Sequence, residues 1–132
     1  MNTEQQGELI KAAQQVRANA YCPHSDYAVG AALLTQEGQL FVGCNVENDS
    51  YGLTICAERV AVFTAVASGA RTVQAIAVAT KEGGSPCGAC RQVLAQFHPK
   101  DGSEMQVFLI NHAGEIVRET TLTELLPFAF GL

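Results

Sequence analysis

The sequence predicts a layered α/β domain built on a mixed β-sheet, and two patterns carry that expectation. An opening helical segment is followed by two apolar, strand-like runs close enough in sequence to pair antiparallel. The middle of the chain then alternates strand, helix and strand in the manner of a parallel crossover.

From about Glu4 to Ala20, apolar residues at Leu9, Ile10, Ala13, Val16 and Ala20 recur at near-helical spacing and define one buried face. This first helix must stop before Tyr21-Cys22-Pro23, because the residue preceding a proline avoids helical geometry. Ala28 to Thr35 and Leu40 to Val46 read as the antiparallel pair. Gly38 in the connecting Gln36-Glu37-Gly38-Gln39 can take the positive φ of a tight turn. Cys56 to Ser68 is a helix that is apolar almost all round, with Gly69 as its C-terminal cap. A helix without a polar face is covered on every side, by the sheet and by a further surface such as a neighbouring subunit. Val73 to Thr80 follows as a strand, Cys87 to Phe97 as a helix and Gln106 to Ile110 as a strand. Asn111-His112-Ala113-Gly114 turns into a short strand, Glu115 to Glu119, ahead of a final segment from Thr121 to Phe130.

Composition limits what such a domain can do. At 132 residues the chain has room for one core, and the expectation is a single domain over residues 1–132. Hydrophobic residues at 48% and charged residues at 16% fit an ordinary globular protein. A net charge of -5, with only eight scattered Lys and Arg, argues against a nucleic-acid partner and for a small neutral ligand. The polar start Met1-Asn2-Thr3-Glu4 is unlike a signal peptide, and no apolar stretch approaches the ~20 residues of a membrane span, so a cytoplasmic location is expected. An odd count of five cysteines in a reducing compartment points to metal ligation or burial rather than to disulfides.

The chemistry concentrates in two short runs, Cys56-Ala57-Glu58 and Pro86-Cys87-Gly88-Ala89-Cys90, whose first cysteines lie 31 positions apart. Three thiolates with a carboxylate that need not bind metal are the makings of an open catalytic zinc site, which keeps a position for water. Both runs fall where a loop enters a helix, and there free N–H groups and the helix dipole favour thiolates. Cys87 and Cys90, three apart, share a helix face. Glu58, two residues after Cys56, points away from it and is free to serve as a general base. Three thiolates on Zn²⁺ leave a charge of about -1, which calls for a nearby cation. Arg59 and Arg91 are the candidates for hydrogen bonds to sulfur, and Arg59 is favoured because its helix is otherwise apolar. Two other readings stay open on these residues alone. Cys87-Gly88-Ala89-Cys90 beside a βαβ pattern is also the form of a dithiol redox motif. A structural zinc module would take its fourth ligand from Cys22, His24 or Cys44.

Blocks along nearly the whole chain resemble the cytidine deaminases of the small, homotetrameric, three-cysteine type. They are Ala20-Tyr21-Cys22-Pro23, Val29 to Leu34, Gly43-Cys44-Asn45-Val46-Glu47-Asn48, Ile55 to Arg59, Ser85 to Leu94, and Glu124-Leu125-Leu126-Pro127 ending at Phe130. The resemblance implies a three-layer α/β/α domain with a five-stranded mixed sheet, and one Zn²⁺ per chain on Cys56, Cys87 and Cys90. It implies that a zinc-activated water attacks C4 of the pyrimidine while Glu58 carries protons from that water to N3 and to the departing amine. Cytidine, and 2'-deoxycytidine with it, would become uridine or 2'-deoxyuridine in pyrimidine salvage, with release of ammonia.

By the same resemblance Asn45 and Glu47 hydrogen-bond the ribose hydroxyls, Tyr27 lies against the base, and Ala57 offers backbone groups to the base edge. Tyr51 closes the ribose pocket across a subunit interface, and Phe130 stacks in a neighbouring subunit's site. Without the resemblance, Asn45 and Glu47 read as a strand-end turn, and Tyr27 and Phe130 as core aromatics. The chain departs from the family pattern at Tyr27, where Phe is more frequent, at His24, where Tyr is common, and at Asp49, where a small residue is usual. A carboxylate at position 49 near the sugar would repel a 5'-phosphate, so nucleosides are expected over nucleotides. The changes at 24, 27 and 49 leave a modified cytidine or another aminopyrimidine nucleoside open as substrate.

Overall fold

The structure is a computed structural model that describes residues 1–131. Helix α1 (Thr3–Arg17) opens the chain, followed by strands β1 (Gly30–Thr35) and β2 (Leu40–Cys44), a 3₁₀ turn (Tyr51–Leu53) and helix α2 (Ala57–Ala67). Strand β3 (Val73–Ala79), helix α3 (Gly88–Ala95), strands β4 (Gln106–Ile110) and β5 (Ile116–Thr121), and the short helix α4 (Leu122–Leu125) complete it. The five strands form one sheet in the order β2-β1-β3-β4-β5. The β3–β4 pair is parallel, and the other three pairs are antiparallel.

Side-chain alternation along the strands builds a separate core on each face. On one side Leu9 and Ala13 of α1 pack against Ala32, Leu34, Ala75, Ala77, Phe108 and Ile110. On the other, α2 and α3 cover Ala31, Leu33, Ile76, Val78, Val107 and Leu109. The result is the expected three-layer α/β/α arrangement on a five-stranded mixed sheet. Helix α1 begins where it does because Asn2 and Gln5 form a reciprocal cap: the Asn2 side chain accepts from Gln5 N at 2.8 Å, and Gln5 Oε1 accepts from Asn2 N at 3.0 Å.

Element ends differ from the expectation by a few residues, most clearly at β5. Strand β5 starts at Ile116 and continues to Thr121, because Glu115 is taken up by the Asn111 turn while Thr120 and Thr121 pair with Val107 and Gln106. The final segment holds only one short helix, α4. Helix α2 is not covered on every side within this chain: Phe63 remains 49% exposed, and Thr64 and Ala67 face outward beside it. The sheet covers only the face bearing Ala57, Ala61 and Ala65.

Helix α2 reaches the sheet through a close approach at Gly43 of β2. A Cβ there would lie 2.4 Å from Ala61 N and 2.7 Å from Ala57 O, backbone atoms that cannot step aside. Gly43→Ala should therefore push the start of α2 off the sheet. The expected loss is about 1–3 kcal/mol, seen as a drop in Tm of about 5 °C or more by calorimetry.

Candidate metal centre and substrate pocket

Two helix starts meet at the same end of the sheet. Cys56 is the N-cap residue of α2, Cys87 is the N-cap residue of α3, and Cys90 lies in the first turn of α3. Neither N-cap side chain accepts from a backbone N–H of its own helix, which leaves both sulfurs free to face each other. The three Sγ atoms all lie within 4.8 Å of one another, with Cys56 and Cys87 at 3.9 Å. Sulfurs around a tetrahedral zinc at ~2.3 Å would be about 3.8 Å apart, so the donor set and spacing fit that ion.

The electrostatics fit as well. The Cys56 thiol is pulled down to about 5, first by a hydrogen bond with Cys90 and then by Arg59, whose Nη2 donates to Cys56 Sγ at 3.2 Å. The same thiol hydrogen bond and burial push Cys90 up, while Cys56 and Cys90 together raise Arg59. Arg59 and the helix ends favour a single thiolate in this pair. A divalent cation is what allows all three thiols to ionise together. Arg91, the other candidate for a bond to sulfur, is engaged elsewhere. Its guanidinium donates to Pro86 O at 2.8 Å, Ser85 Oγ at 2.8 Å and Leu125 O at 2.7 Å, pinning the loop that leads into α3.

Glu58 follows Cys56 into the first turn of α2 and is only 5% exposed. It is not part of the three-sulfur cluster. Burial, reinforced by the charge on Cys56, holds its carboxyl above the usual carboxylate range. A buried carboxyl poised to take and return a proton is what a shuttle beside a water-activating metal requires.

A cavity of about 420 Å³ opens onto this cluster. Cys56, Ala57, Glu58 and Cys87 form its head, Val29, Ile55 and Val78 give it an apolar body, and Ser25, Tyr27, Asn45 and Glu47 form one wall. Asn45 accepts from Val29 N at 2.9 Å and donates to Tyr27 O at 2.8 Å, using half of its amide's hydrogen-bonding capacity. Glu47 accepts from His24 N at 2.8 Å, from Ser25 N at 3.2 Å and from the Ser25 hydroxyl. These bonds, the Ser25 hydroxyl first, hold its carboxyl below the ordinary 4.5. Both side chains are fixed from behind and keep unused polar capacity toward the cavity. The Tyr27 phenol donates to Glu82 Oε1, and burial, followed by this bond, raises its pKa.

The Glu47 network carries an acid-stability signature. A carboxyl depressed in the fold stabilises it above the unfolded value, and that contribution is lost as pH falls through the folded value. Glu47→Gln should therefore lower Tm at pH 7, and the gap from the wild type should close as the pH is taken below the depressed value.

Two of the residues predicted to touch substrate stay outside this cavity. Tyr51 is 74% exposed and stands edge-to-face on His24, with ring centroids 5.1 Å apart, at a shallow outer depression that shares Ser25, Glu47 and Thr54 with the cavity. Phe130 is 72% exposed, and Gln92 Nε2 donates to its carbonyl at 3.2 Å. His24 Nε2 lies 3.1 Å from Asp49 Oδ1, on the outside of the pocket. Cys22, His24 and Cys44 are absent from the sulfur cluster, so the structural-zinc alternative has no fourth ligand among the described residues. Sequence reasoning missed Ser25, Thr80, Gly84 and Ser85, which also line the cavity. The Gly83-Gly84 break just ahead of Cys87 was the one usable signal among them.

The layered fold and the three-sulfur centre beside a buried carboxyl define a zinc-dependent hydrolytic enzyme. The family model described as the cytidine and deoxycytidylate deaminase zinc-binding region matches residues 3–103. The cytidine deaminase of Sporosarcina psychrophila is 50% identical over 125 residues, spanning 93% of this chain and 89% of that protein. That of Halalkalibacterium halodurans is 53% identical over 124 residues, spanning 92% and 91%. The crystal structure of cytidine deaminase from Burkholderia pseudomallei superposes with a TM-score of 0.85 at 46% identity, covering 98% of this chain and 100% of that one. The chain belongs to the cytidine and deoxycytidylate deaminase family, and the dithiol redox reading of Cys87 and Cys90 falls with that membership.

Proposed function

We propose that this protein hydrolyses cytidine, and 2'-deoxycytidine with it, to uridine or 2'-deoxyuridine and ammonia. The observation that carries the reading is Glu58, buried at the head of a cavity beside three clustered thiols, with Asn45 and Glu47 on its wall. Cys56, Cys87 and Cys90 would hold the zinc, which when bound would supply Lewis acidity for a nucleophilic water. Glu58 would take one proton from the attacking water and pass it to N3 of the ring, then take the second proton from the hydroxyl now on C4 and deliver it to the amine as the C4–N bond breaks and the C4 carbonyl forms. Water plus cytidine thus gives uridine plus ammonia with no other reactant. Arg59 steadies the charge on Cys56, and the Ala57 backbone meets the base edge. Asn45 and Glu47 bind the ribose, and Tyr27 lies against the ring.

Residues 1–132 form one zinc-dependent domain that works as a homotetramer in the cytoplasm. The exposed Phe63 face of α2 supports assembly, as do Tyr51 and Phe130, which stand outside their own chain's cavity and are free to complete a neighbour's. Among the described residues no helix is long and apolar enough to cross a membrane.

The test is a panel of cytidine, 2'-deoxycytidine, cytosine and CMP, followed by ultraviolet absorbance. The two nucleosides should turn over well. Cytosine should fail for lack of ribose contacts, because a site built around polar groups penalises a ligand that leaves them unpaired. CMP should be poor because the Glu47 carboxylate opposes a phosphate at the sugar end, with Asp49 adding negative charge outside the pocket beside His24. Equal activity on CMP and cytidine would overturn the nucleoside assignment.

A further inference from the structure

Resting on the proposed nucleoside deamination, we propose that Tyr27 and Glu82 form a clasp across the cavity that sets its width and limits which pyrimidine rings it admits. The cavity has two walls from distant parts of the chain. One is the segment before β1, with Ser25 and Tyr27, backed by Asn45. The other is the loop between β3 and α3, which supplies Thr80, Gly84 and Ser85 and leads directly into Cys87. The Tyr27 hydroxyl bond to Glu82 Oε1 joins these two segments across 55 positions of sequence. A phenol donating to a carboxylate is charge-assisted and stronger than a neutral hydrogen bond.

Both ends of the clasp are anchored. Tyr27 N donates to Ser25 Oγ at 3.0 Å and Tyr27 O accepts from Asn45 Nδ2 at 2.8 Å, so the Tyr27 backbone that carries the ring is tied to residues of the binding wall. Glu82 is bridged through its backbone to Asn111 at the end of β4. Thr80 Oγ1 accepts from Gly83 N and Gly84 N, both at 2.8 Å, which folds the loop over the threonine hydroxyl. Gly84 leaves open the space where the two groups meet. A Cβ there would lie 2.9 Å from Glu82 Oε1 and 3.3 Å from the Tyr27 hydroxyl oxygen. A stray surface hydrogen bond needs no such accommodation. Here a glycine, a capping threonine and an asparagine all position one contact at the edge of the pocket. Tyr27 and Glu82 act on specificity through the position of the wall, and the same loop carries a cysteine of the zinc cluster.

The experiment uses the zinc-loaded protein with Tyr27→Phe, which keeps the ring, Glu82→Ala, and the double variant. Hydrogen exchange of the 81–85 loop amides is measured without substrate, and kcat and KM are measured for cytidine and 5-methylcytidine. Either single substitution should speed exchange at Gly83 and Gly84. Each should also raise KM for cytidine more than it lowers kcat, and narrow the preference for cytidine over the ring-methylated substrate by about tenfold, the low end of what one carbon is worth in a fitted pocket. The double variant should do little more than either single one, because both remove the same bond. Unchanged loop exchange would overturn the clasp. Faster exchange with an unchanged substrate ratio, or effects that simply add, would overturn its role in specificity. Loss of the deamination reading would show separately, as absence of cytidine turnover in the wild type.

Discussion

Glu58→Gln lowers cytidine turnover by ~10²–10⁴-fold or more while the protein keeps its zinc, because general acid–base help of this kind is worth at least that much. The substitution preserves shape and removes only the ability to carry a proton. Glu58 is 5% exposed and lies outside the sulfur cluster, so metal content should stay at one per chain by elemental analysis. The fold should not suffer either. Burial raises the Glu58 carboxyl above its ordinary 4.5, which means that its ionised form costs stability as pH rises past that value. A neutral amide avoids that cost, and Tm at pH 7 should stay level or rise. Loss of zinc or a large drop in Tm would mean that Glu58 is a ligand or a structural group instead.

Cys90→Ser removes both metal and activity. Cys90 is fully buried at the start of α3, within 4.8 Å of two other sulfurs, and a serine hydroxyl does not ionise to replace its thiolate. Zinc should fall well below one per chain, and turnover should fall with it to background. Tm should drop as well, since the ion ties the starts of α2 and α3 together. Cys22→Ser and Cys44→Ser serve as controls. Both thiols lie outside the cluster, so each variant should keep its zinc and its activity. Zinc retained at full stoichiometry in Cys90→Ser would remove that residue from the ligand set.

What was legible in the sequence follows a physical division. One-sided periodicity located α1. Strands β1 to β4 and helix α2 were legible as near-continuous apolar runs between turn residues, because elements covered on both faces carry no polar side. Strand β5 was placed by the turn that precedes it. The three cysteines were legible because each sits at a helix start, where Pro86 and Gly88 mark the entry and thiolates are favoured. Tyr27, Asn45 and Glu47 of the pocket wall were legible only through the family resemblance, and the residues that position them were not legible at all. Ser25 acts through Glu47, and Thr80 through the amides of Gly83 and Gly84. Tyr27 meets Glu82 from 55 positions away, and no local pattern encodes that meeting. Helix α2 is a case where one chain shows only part of what the sequence implied. Its apolar composition calls for cover by the sheet and by a further surface, and this chain supplies the sheet side and leaves Phe63 in the open.

The most direct test of the account is a time course of cytidine with the purified protein carrying one zinc per chain, measuring uridine and ammonia together. The account predicts that both appear in equal amounts, with multiple turnovers per site. Zinc bound at full stoichiometry without either product would contradict it.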